Sequence, residues 1–512
     1  MKNFKHRPSL VHAPTLALAC FGAACSGEYP LGNLSNHEQR LDLDPGSVGV
    51  ADAALSPVLG APDVTIDAHD LKLTSPGSLV AAGDLDGDGF EDMAVSAWDF
   101  DTNTEYVHLR YGGPRPATPA DSLAFELGAG YLLMPERMSL SSLSAAGDVD
   151  GDGYGDLLVR SYECDSTQPD EGVYLVYGGP ERRGGVDLLT DVAVHFVPPI
   201  VEAPPGGGCA GFPSSGDAGD LDGDGIDDLV LSSHVPSART GSQGVYLFYG
   251  RSQRFTGAIP FGDADAKFEA AHRLDAVPTG DVDGDALDDL LIGSRSVRLD
   301  VASRFSFVPG RTERWSGSVD LEANAVGFDG LWADEVSSLA GGALGDLDAD
   351  GINDVVLIRD RDYASFLFYG APGLFAGGAD PAAADAELPG DSTLGLFPAG
   401  DLDADGDDEL VAQFNPVGIP FPDFAIVGGS SERFADTFSV PEADALDHGQ
   451  RFRDAKRAIE YTYAAGDLDG DGAGDLFSLS SVRNDKPDGH FERVLPQIHI
   501  HYGSAPLSNP LR

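Results

Sequence analysis

Three observations predict an all-β fold for this chain: a seven-bladed β-propeller with four-stranded antiparallel blades. The first is a repeat. The frame Gly-Asp-(Leu/Val)-Asp-(Gly/Ala)-Asp recurs, with its first aspartate at Asp84, Asp148, Asp220, Asp281, Asp346, Asp401 and Asp467. Successive copies stand 64, 72, 61, 65, 55 and 66 residues apart, the spacing of a supersecondary unit that stacks on its neighbours. The second is a short apolar run after every copy. The third is composition: 65 glycines and 34 prolines among 512 residues suit many short strands joined by turns. No repeat sustains the 3.6-residue apolar period of a helical solenoid.

The elements of one repeat follow in order. A strand leads into the acidic loop and ends at its invariant glycine: Gly83, Gly147, Gly219, Gly280, Gly345, Gly400 and Gly466. After the loop come runs such as Met93-Ala94-Val95, Leu229-Val230-Leu231 and Val355-Val356-Leu357. A third strand closes on glycine, as in Val107 to Tyr111 before Gly112, Val173 to Tyr177 before Gly178, and Val245 to Tyr249 before Gly250. Weaker stretches such as 123–127 and 192–196 complete four strands per repeat, and radial repetition of such units is the propeller plan. The seventh repeat stops after Ile498 to Tyr502 without its fourth strand. The unassigned Asp63-Val64-Thr65-Ile66-Asp67 near the other end is therefore expected to pair as the outer strand of the last blade.

The acidic loop poses a chemical question. Two aspartates about 5 Å apart repel by roughly 3 kcal/mol at an effective dielectric near 20, so a cluster needs open water or a cation. Counting the first aspartate as position 1, carboxylates at 1, 3, 5 and 9 and the carbonyl at 7 can wrap one hard cation, with glycine at 6 allowing the sharp turn. That set is Asp84, Asp86, Asp88, Phe90 and Asp92 in loop 1, and Asp148, Asp150, Asp152, Tyr154 and Asp156 in loop 2. Loop 3 offers Asp220, Asp222, Asp224, Ile226 and Asp228; loop 4 offers Asp281, Asp283, Asp285, Leu287 and Asp289. Loop 5 has Asp346, Asp348, Asp350, Ile352 and Asp354; loop 6 has Asp401, Asp403, Asp405, Asp407 and Glu409. Loop 7 has Asp467, Asp469, Asp471, Ala473 and Asp475. All-oxygen donors favour Ca²⁺ over Mg²⁺, which keeps more water and demands stricter geometry, so up to seven Ca²⁺ are expected, one per blade. An EF-hand needs Glu at position 12, where this chain has Val95, Val159, Leu231, Ile292, Leu357, Ala412 and Ser478. Weaker binding is expected in the loops starting at Asp281, where Ala286 replaces the turn glycine, and at Asp401, where Glu409 replaces an aspartate.

With its Gly-Asp-Leu-Asp-Gly-Asp-Gly loops, the apolar strand after each and the Tyr-Gly strand ends, the sequence resembles the FG-GAP repeats of the integrin α-subunit propeller and their bacterial relatives. The resemblance covers roughly residues 61–505. The Gly-Ala-Pro that gives the repeat part of its name is largely absent, Leu291-Ile292-Gly293-Ser294 coming nearest.

The N-terminus reads as a separate object. Lys2, Lys5 and Arg7 precede an apolar run from Leu10 to Ala24, too short for the ~20 residues of a membrane span and fitting an export signal. Gly22-Ala23-Ala24-Cys25 resembles the lipobox of bacterial lipoproteins, with Cys25 as the lipidated residue and Cys20 as the alternative. The expected organisation is a lipoprotein-like signal at 1–25, a tether at 26–60, the propeller at 61–505 and a tail at 506–512. Location is then extracytoplasmic: an outer-membrane lipoprotein, the cell surface or the periplasm, touching membrane only through the lipid anchor. The other two cysteines, Cys164 and Cys209, fall in loops that share one propeller face, opposite the acidic loops, and a disulfide between them is expected in an oxidising compartment.

A net charge of −52 argues against nucleic acid, whose phosphates it repels. No zinc spacing, nucleophile elbow or phosphate loop occurs. His499 and His501 alternate along a strand and could hold a metal, a surface strand pair being the plainer reading. Insertions at 198–216, 326–342 and 443–463, with Trp98, Tyr162 and Trp332, place function on the face opposite the acidic loops. The expected function is non-enzymatic: a calcium-stabilised, monomeric surface propeller for adhesion or recognition of a protein or glycan ligand. A carbohydrate-active propeller such as a polysaccharide lyase, and a structural envelope component, are the alternatives.

Overall fold

A computed structural model of the chain describes residues between 64 and 503. Residues 1–63 and 504–512 lie outside it, as do the longer connections, 68–75, 100–103, 115–130, 163–171, 181–185, 200–213, 234–243, 296–303, 328–338, 376–382, 415–422, 438–448 and 486–490 among them. The signal, the lipidation cysteines Cys25 and Cys20, and the Cys164–Cys209 pair therefore fall outside the described residues, as does Trp332. The side chains of Trp98 and Tyr162 are likewise not described.

The described chain is almost entirely strand, in seven sheets taken up in sequence order. Each sheet begins with the strand that enters an acidic loop, Pro76–Gly83 in the first and Ser214–Gly219 in the third. It continues antiparallel through the strand that leaves the loop, Asp92–Asp99 or Asp228–Ser233, and through the strand that ends in glycine, Thr104–Arg110 or Gly244–Phe248. The seventh sheet takes its outer strand from the other end of the chain. Val64–Asp67 pairs antiparallel with Phe491–His501, Val64 opposite Ile500 and Ile66 opposite Ile498.

Two expectations are corrected. Four-stranded blades hold for the fourth, sixth and seventh sheets, whereas the first, second, third and fifth carry a fifth strand. That strand comes from the following repeat and runs parallel to the fourth: Gly257–Pro260 beside Val194–Val197, Gly317–Asp320 beside Ala266–Glu269. Its cause is a turn that leads the chain back over the neighbouring sheet's edge, described below. In the first sheet the fourth strand is Tyr131–Leu133 rather than 123–127, which lies outside the described residues.

The apolar runs explain the stacking. Leu229-Val230-Leu231 has no polar alternation because its sheet is covered on both faces. Leu229 and Leu231 pack with Leu158, Leu175 and Phe196 of the second sheet, while Val230 packs with Leu290 and Ile292 of the fourth. Equivalent clusters lie between sheets one and two, four and five, five and six, and six and seven. The core is thus a series of layers between sheets. The edges where strands pass into loops, rather than the faces, are left to carry chemistry.

Candidate metal centre

Each acidic loop begins at a bulge. The ladder slips by one residue just before the leading glycine in all seven sheets, and these glycines take φ between +65 and +82. At five of the seven a side chain would also collide with a neighbouring repeat: a Cβ on Gly219 runs into the Asp288 carboxylate, and one on Gly147 into that of Asp227, whereas Gly83 and Gly400 have room. Positive φ accounts for glycine in every copy, and close approach adds to it at those five.

Within a loop the first carboxylate is held by backbone. Asp84 Oδ1 accepts the amides of Gly87 (2.7 Å) and Asp88 (3.1 Å), and Oδ2 accepts that of Gly89 (2.8 Å). Asp220, Asp281 and Asp467 repeat the three bonds, and Asp148, Asp346 and Asp401 make the bonds from positions 5 and 6. The position-5 carboxylate accepts the position-7 amide, as Asp88 does from Phe90 (3.1 Å). Position 9 is the buried anchor. Asp228 accepts the amide of Leu221 (3.0 Å) on one oxygen and that of Gly250, the end of the third strand, on the other (2.8 Å). Asp92, Asp156, Asp289, Asp354 and Asp475 make the same two bonds. In loop 6 Glu409 takes the amide of Leu402 (2.6 Å), so its extra methylene is absorbed without losing the bond.

Three of the predicted carboxylates come together in each of five loops. Single oxygens of Asp84, Asp86 and Asp92 lie within 4.8 Å of one another, as do those of Asp148, Asp150 and Asp156, and of Asp346, Asp348 and Asp354. In loops 3 and 4 the groups are Asp220, Asp222 and Asp224, and Asp281, Asp283 and Asp285. A test of fit is whether a lone pair is left for an ion. Asp283 Oδ1, Asp348 Oδ1 and Asp403 Oδ1 are buried and lack any hydrogen-bond partner. A buried carboxylate oxygen without a donor is costly unless a cation meets it, and an all-oxygen donor set is that of a hard cation. The residues fit Ca²⁺.

Position 7 has a second role that the ligand pattern did not reveal. Tyr154, Ile226, Leu287 and Ile352 lie so close to the position-4 glycine of the preceding loop that a Cβ there would touch them. Phe90 does the same to Gly470, linking loop 1 to loop 7. Where position 4 is alanine, as at Ala349 and Ala404, the next position 7 is the shorter Asp407 or Ala473. Both alanines sit at positive φ, 54° and 56°, as does Ala286 at 67°. Only the last of these was expected from the sequence.

Burial and neighbouring carboxylates push the position-9 acids up, against their backbone hydrogen bonds: Asp92, Asp289 and Asp354 to about 7, Asp156, Asp228, Asp475 and Glu409 to about 8. The ion-free fold thus keeps protons that the unfolded chain, with aspartate at its ordinary 3.8, has lost. Its stability falls as pH rises from about 4 to about 8, and a cation must displace those protons. Calcium affinity is therefore expected to rise between pH 6 and 8 with proton release on binding. Titration calorimetry in buffers of differing ionisation enthalpy checks this; a pH-independent affinity would contradict it.

Sequence reasoning missed an arginine. Arg254 Nε pairs with Asp150 and its terminal nitrogen with Asp152 (2.5 Å) of the preceding loop. Arg314 does so with Asp222 and Asp224, and Arg433 with Asp348 and Asp350. The signal was available: each stands four residues after the glycine that ends a third strand and just before an aromatic, as in Gly250…Arg254-Phe255. His499 and His501, expected at a surface, are instead buried, on a strand paired on both edges. His501 Nε2 lies 3.0 Å from Ser478 Oγ.

Against this geometry the comparisons are direct. The FG-GAP repeat family model matches residues 76–109, 140–175 and 212–248, each match running from a loop-entering strand into a third strand. The chain carries FG-GAP repeats. Phosphatidylinositol-glycan-specific phospholipase D of Rattus norvegicus is 29% identical over 178 residues, covering 32% of this chain and 20% of the relative. Integrin alpha-4 of Xenopus laevis is 34% identical over 104 residues, covering 20% and 10%. The FG-GAP chain thus spans a fifth or less of the curated relatives it matches. Among solved structures, a neuraminidase-like protein of A/flat-faced bat/Peru matches at TM-score 0.25 and 10% identity, over 72% of this chain and 90% of that one. The V. cholerae biofilm matrix protein Bap1 matches at 0.19 and 12%, over 85% and 68%. Scores this low carry no argument.

Proposed function

We propose that the seven sheets close into a seven-bladed β-propeller, fastened by calcium, that is exported and serves adhesion or recognition of a protein or glycan without catalysing a reaction. One observation carries the closure. The position-8 amide of each loop donates to the position-1 carbonyl of the loop before it: Gly155 to Asp84, Asp227 to Asp148, Asp288 to Asp220, Asn353 to Asp281, Asp408 to Asp346 and Gly474 to Asp401. The series returns to its start, since the Glu91 amide donates to the Asp467 carbonyl at 3.0 Å. Seven bonds of one kind, the last returning to the first loop, support a closed ring.

The ring argues for a structural metal. Seven copies of one loop are more than one active site needs, and each ion would sit where two repeats meet. Ligand recognition is then assigned to the opposite face, where the order of strands in the sequence puts the long insertions. Export and a lipid anchor at Cys25 follow the N-terminal sequence, and among the described residues no helix is long and apolar enough to cross a membrane. A monomer is consistent with a ring that pairs its own end strands.

A glycan array probed with the calcium-loaded protein, run beside a lyase assay on acidic polysaccharides, tests the reading. Saturable binding without product release is expected. Chain cleavage would replace it with the carbohydrate-active alternative.

A further inference from the structure

The arginines belong to a larger unit. The tyrosine just before the strand-ending glycine accepts, on its hydroxyl, the amide of the residue after the next repeat's arginine. Phe255 donates to Tyr177 (2.8 Å), Trp315 to Tyr249 (2.7 Å) and Phe434 to Tyr369 (2.8 Å). Each guanidinium lies over that same ring, 4.5–4.7 Å from its centre, a favourable cation–π distance. Beyond the turn the chain adds the parallel fifth strand, Gly257–Pro260, Gly317–Asp320 or Asp436–Thr437. Aromatic ring, ion pair and strand thus bind three junctions: sheets two to three, three to four, and five to six.

The features come and go together. Where tyrosine is replaced by Pro309 or Gly428, the arginine position holds Leu374 or Leu507, and sheets four and six have no fifth strand among the described residues. For Tyr502 the arginine position in the sequence is Pro116, and sheet seven is again four-stranded among the described residues. The first sheet has Tyr111, a fifth strand at Val186–Asp187 and, in the sequence, Arg182 at the matching place.

We propose that this tyrosine–arginine strap is a built-in substitute for calcium, and that calcium is held most tightly in the loops without it, starting at Asp281, Asp401 and Asp467. The inference rests on the calcium reading of the loops. In strapped loop 2 both oxygens of Asp150 and Asp152 are engaged: Oδ1 of each accepts a backbone amide at 3.2 Å and Oδ2 faces Arg254. An ion entering there meets a fixed positive charge that no accessible pH removes. Buried oxygens without donors occur in both kinds of loop, Asp348 Oδ1 in strapped loop 5 and Asp283 Oδ1 and Asp403 Oδ1 in loops 4 and 6. What sets loops 4 and 6 apart is that the arginine position holds Leu374 or Leu507, so the ligand oxygens have no guanidinium to compete with an ion. This reverses the order expected from Ala286 and Glu409. Ala286 already holds its positive φ with its amide on Asp281 (2.7 Å), and Glu409 keeps the position-9 bond; neither removes a ligand.

The test is equilibrium dialysis with radiolabelled calcium, and calcium-free melting, of the parent chain and of Arg254→Gln/Arg314→Gln/Arg433→Gln. The parent should fill in two phases. The triple variant should move up to three ions into the tight phase, by about tenfold or more in affinity once the competing charge is gone, and should melt lower without calcium. Should the triple variant fail to fold without calcium, Arg433→Gln alone should gain one tight ion. Equal saturation curves for parent and variant, or weaker binding in the variant, overturn the proposal. Flat curves in both overturn the calcium reading itself, a result distinct from curves that saturate alike.

Discussion

Protein stripped of calcium is expected to unfold on the order of 10 °C below the calcium-loaded form, the binding free energy being divided by an unfolding entropy of about 2.1 cal/mol/K per residue. At free calcium ten times the dissociation constant each loop contributes about 1.4 kcal/mol, so seven loops contribute roughly 10 kcal/mol. The effect is large because calcium relieves a repulsion built into the fold. Seven ions of charge +2 take the net charge from −52 to −38, and they act where the carboxylates crowd. Each position-9 acid is buried between two sheets' worth of backbone, pinned by amides from the loop and from the third strand. Differential scanning calorimetry with and without chelator reads the shift. A change of about a degree or less would show that these loops are solvated turns.

The strapped junctions refine that expectation. A guanidinium tethered over Asp150 and Asp152 does part of what an ion does, at the cost of ordering one side chain. Loss of calcium should therefore loosen the sheets first between four and five, six and seven, and seven and one, where the arginine position holds Leu374, Leu507 and Pro116. On the strap proposal, calcium and arginine would divide one electrostatic task among the junctions.

How much of this was legible depends on the range of each interaction. The loops could be read because their ligands lie within nine residues and recur seven times. The leading glycines could be read as invariant, but their reason lay elsewhere: Gly219 is glycine because Asp288, 69 residues on, occupies the space a Cβ would take. Ala349 and Ala404 look like neutral replacements until their positive φ is seen. Arg254, Arg314 and Arg433 have a regular spacing from their glycines, yet their targets are 83 to 104 residues away, and nothing local names them. The fifth strands are too short to leave a periodic signal, two residues in the case of Asp436–Thr437. His499 and His501 were misplaced although the pairing of Val64–Asp67 with their strand was expected, because the burial of a paired strand's side chains depends on what packs over the sheet. Sequence gives contacts inside a repeat; contacts between repeats need the fold.

Deleting residues 61–70 is expected to abolish the single cooperative transition. Phe491–His501 is the third strand of the seventh sheet, and its partner on one edge is Val64–Asp67, more than 400 residues earlier. Without that segment the sheet ends on a strand with a row of unpaired amides and carbonyls, an edge that invites association with other chains. Four paired residues at about 1 kcal/mol per hydrogen bond are only a few kcal/mol, but the loss falls where the first and last repeats meet. Ile498, His499 and Ile500, now buried, lie directly along the exposed edge. The bonds from Glu91 to Asp467 and from Gly113 to Leu468 (both 3.0 Å), with Phe90 against Gly470, would then remain to hold the first repeat to the last. The deletion variant should melt in two steps, with amide exchange in Asp475–Asp485 and Phe491–His501 accelerated ahead of the other sheets. An unchanged single transition would mean that the ring is not closed by this strand, and that the inter-loop bonds suffice without it.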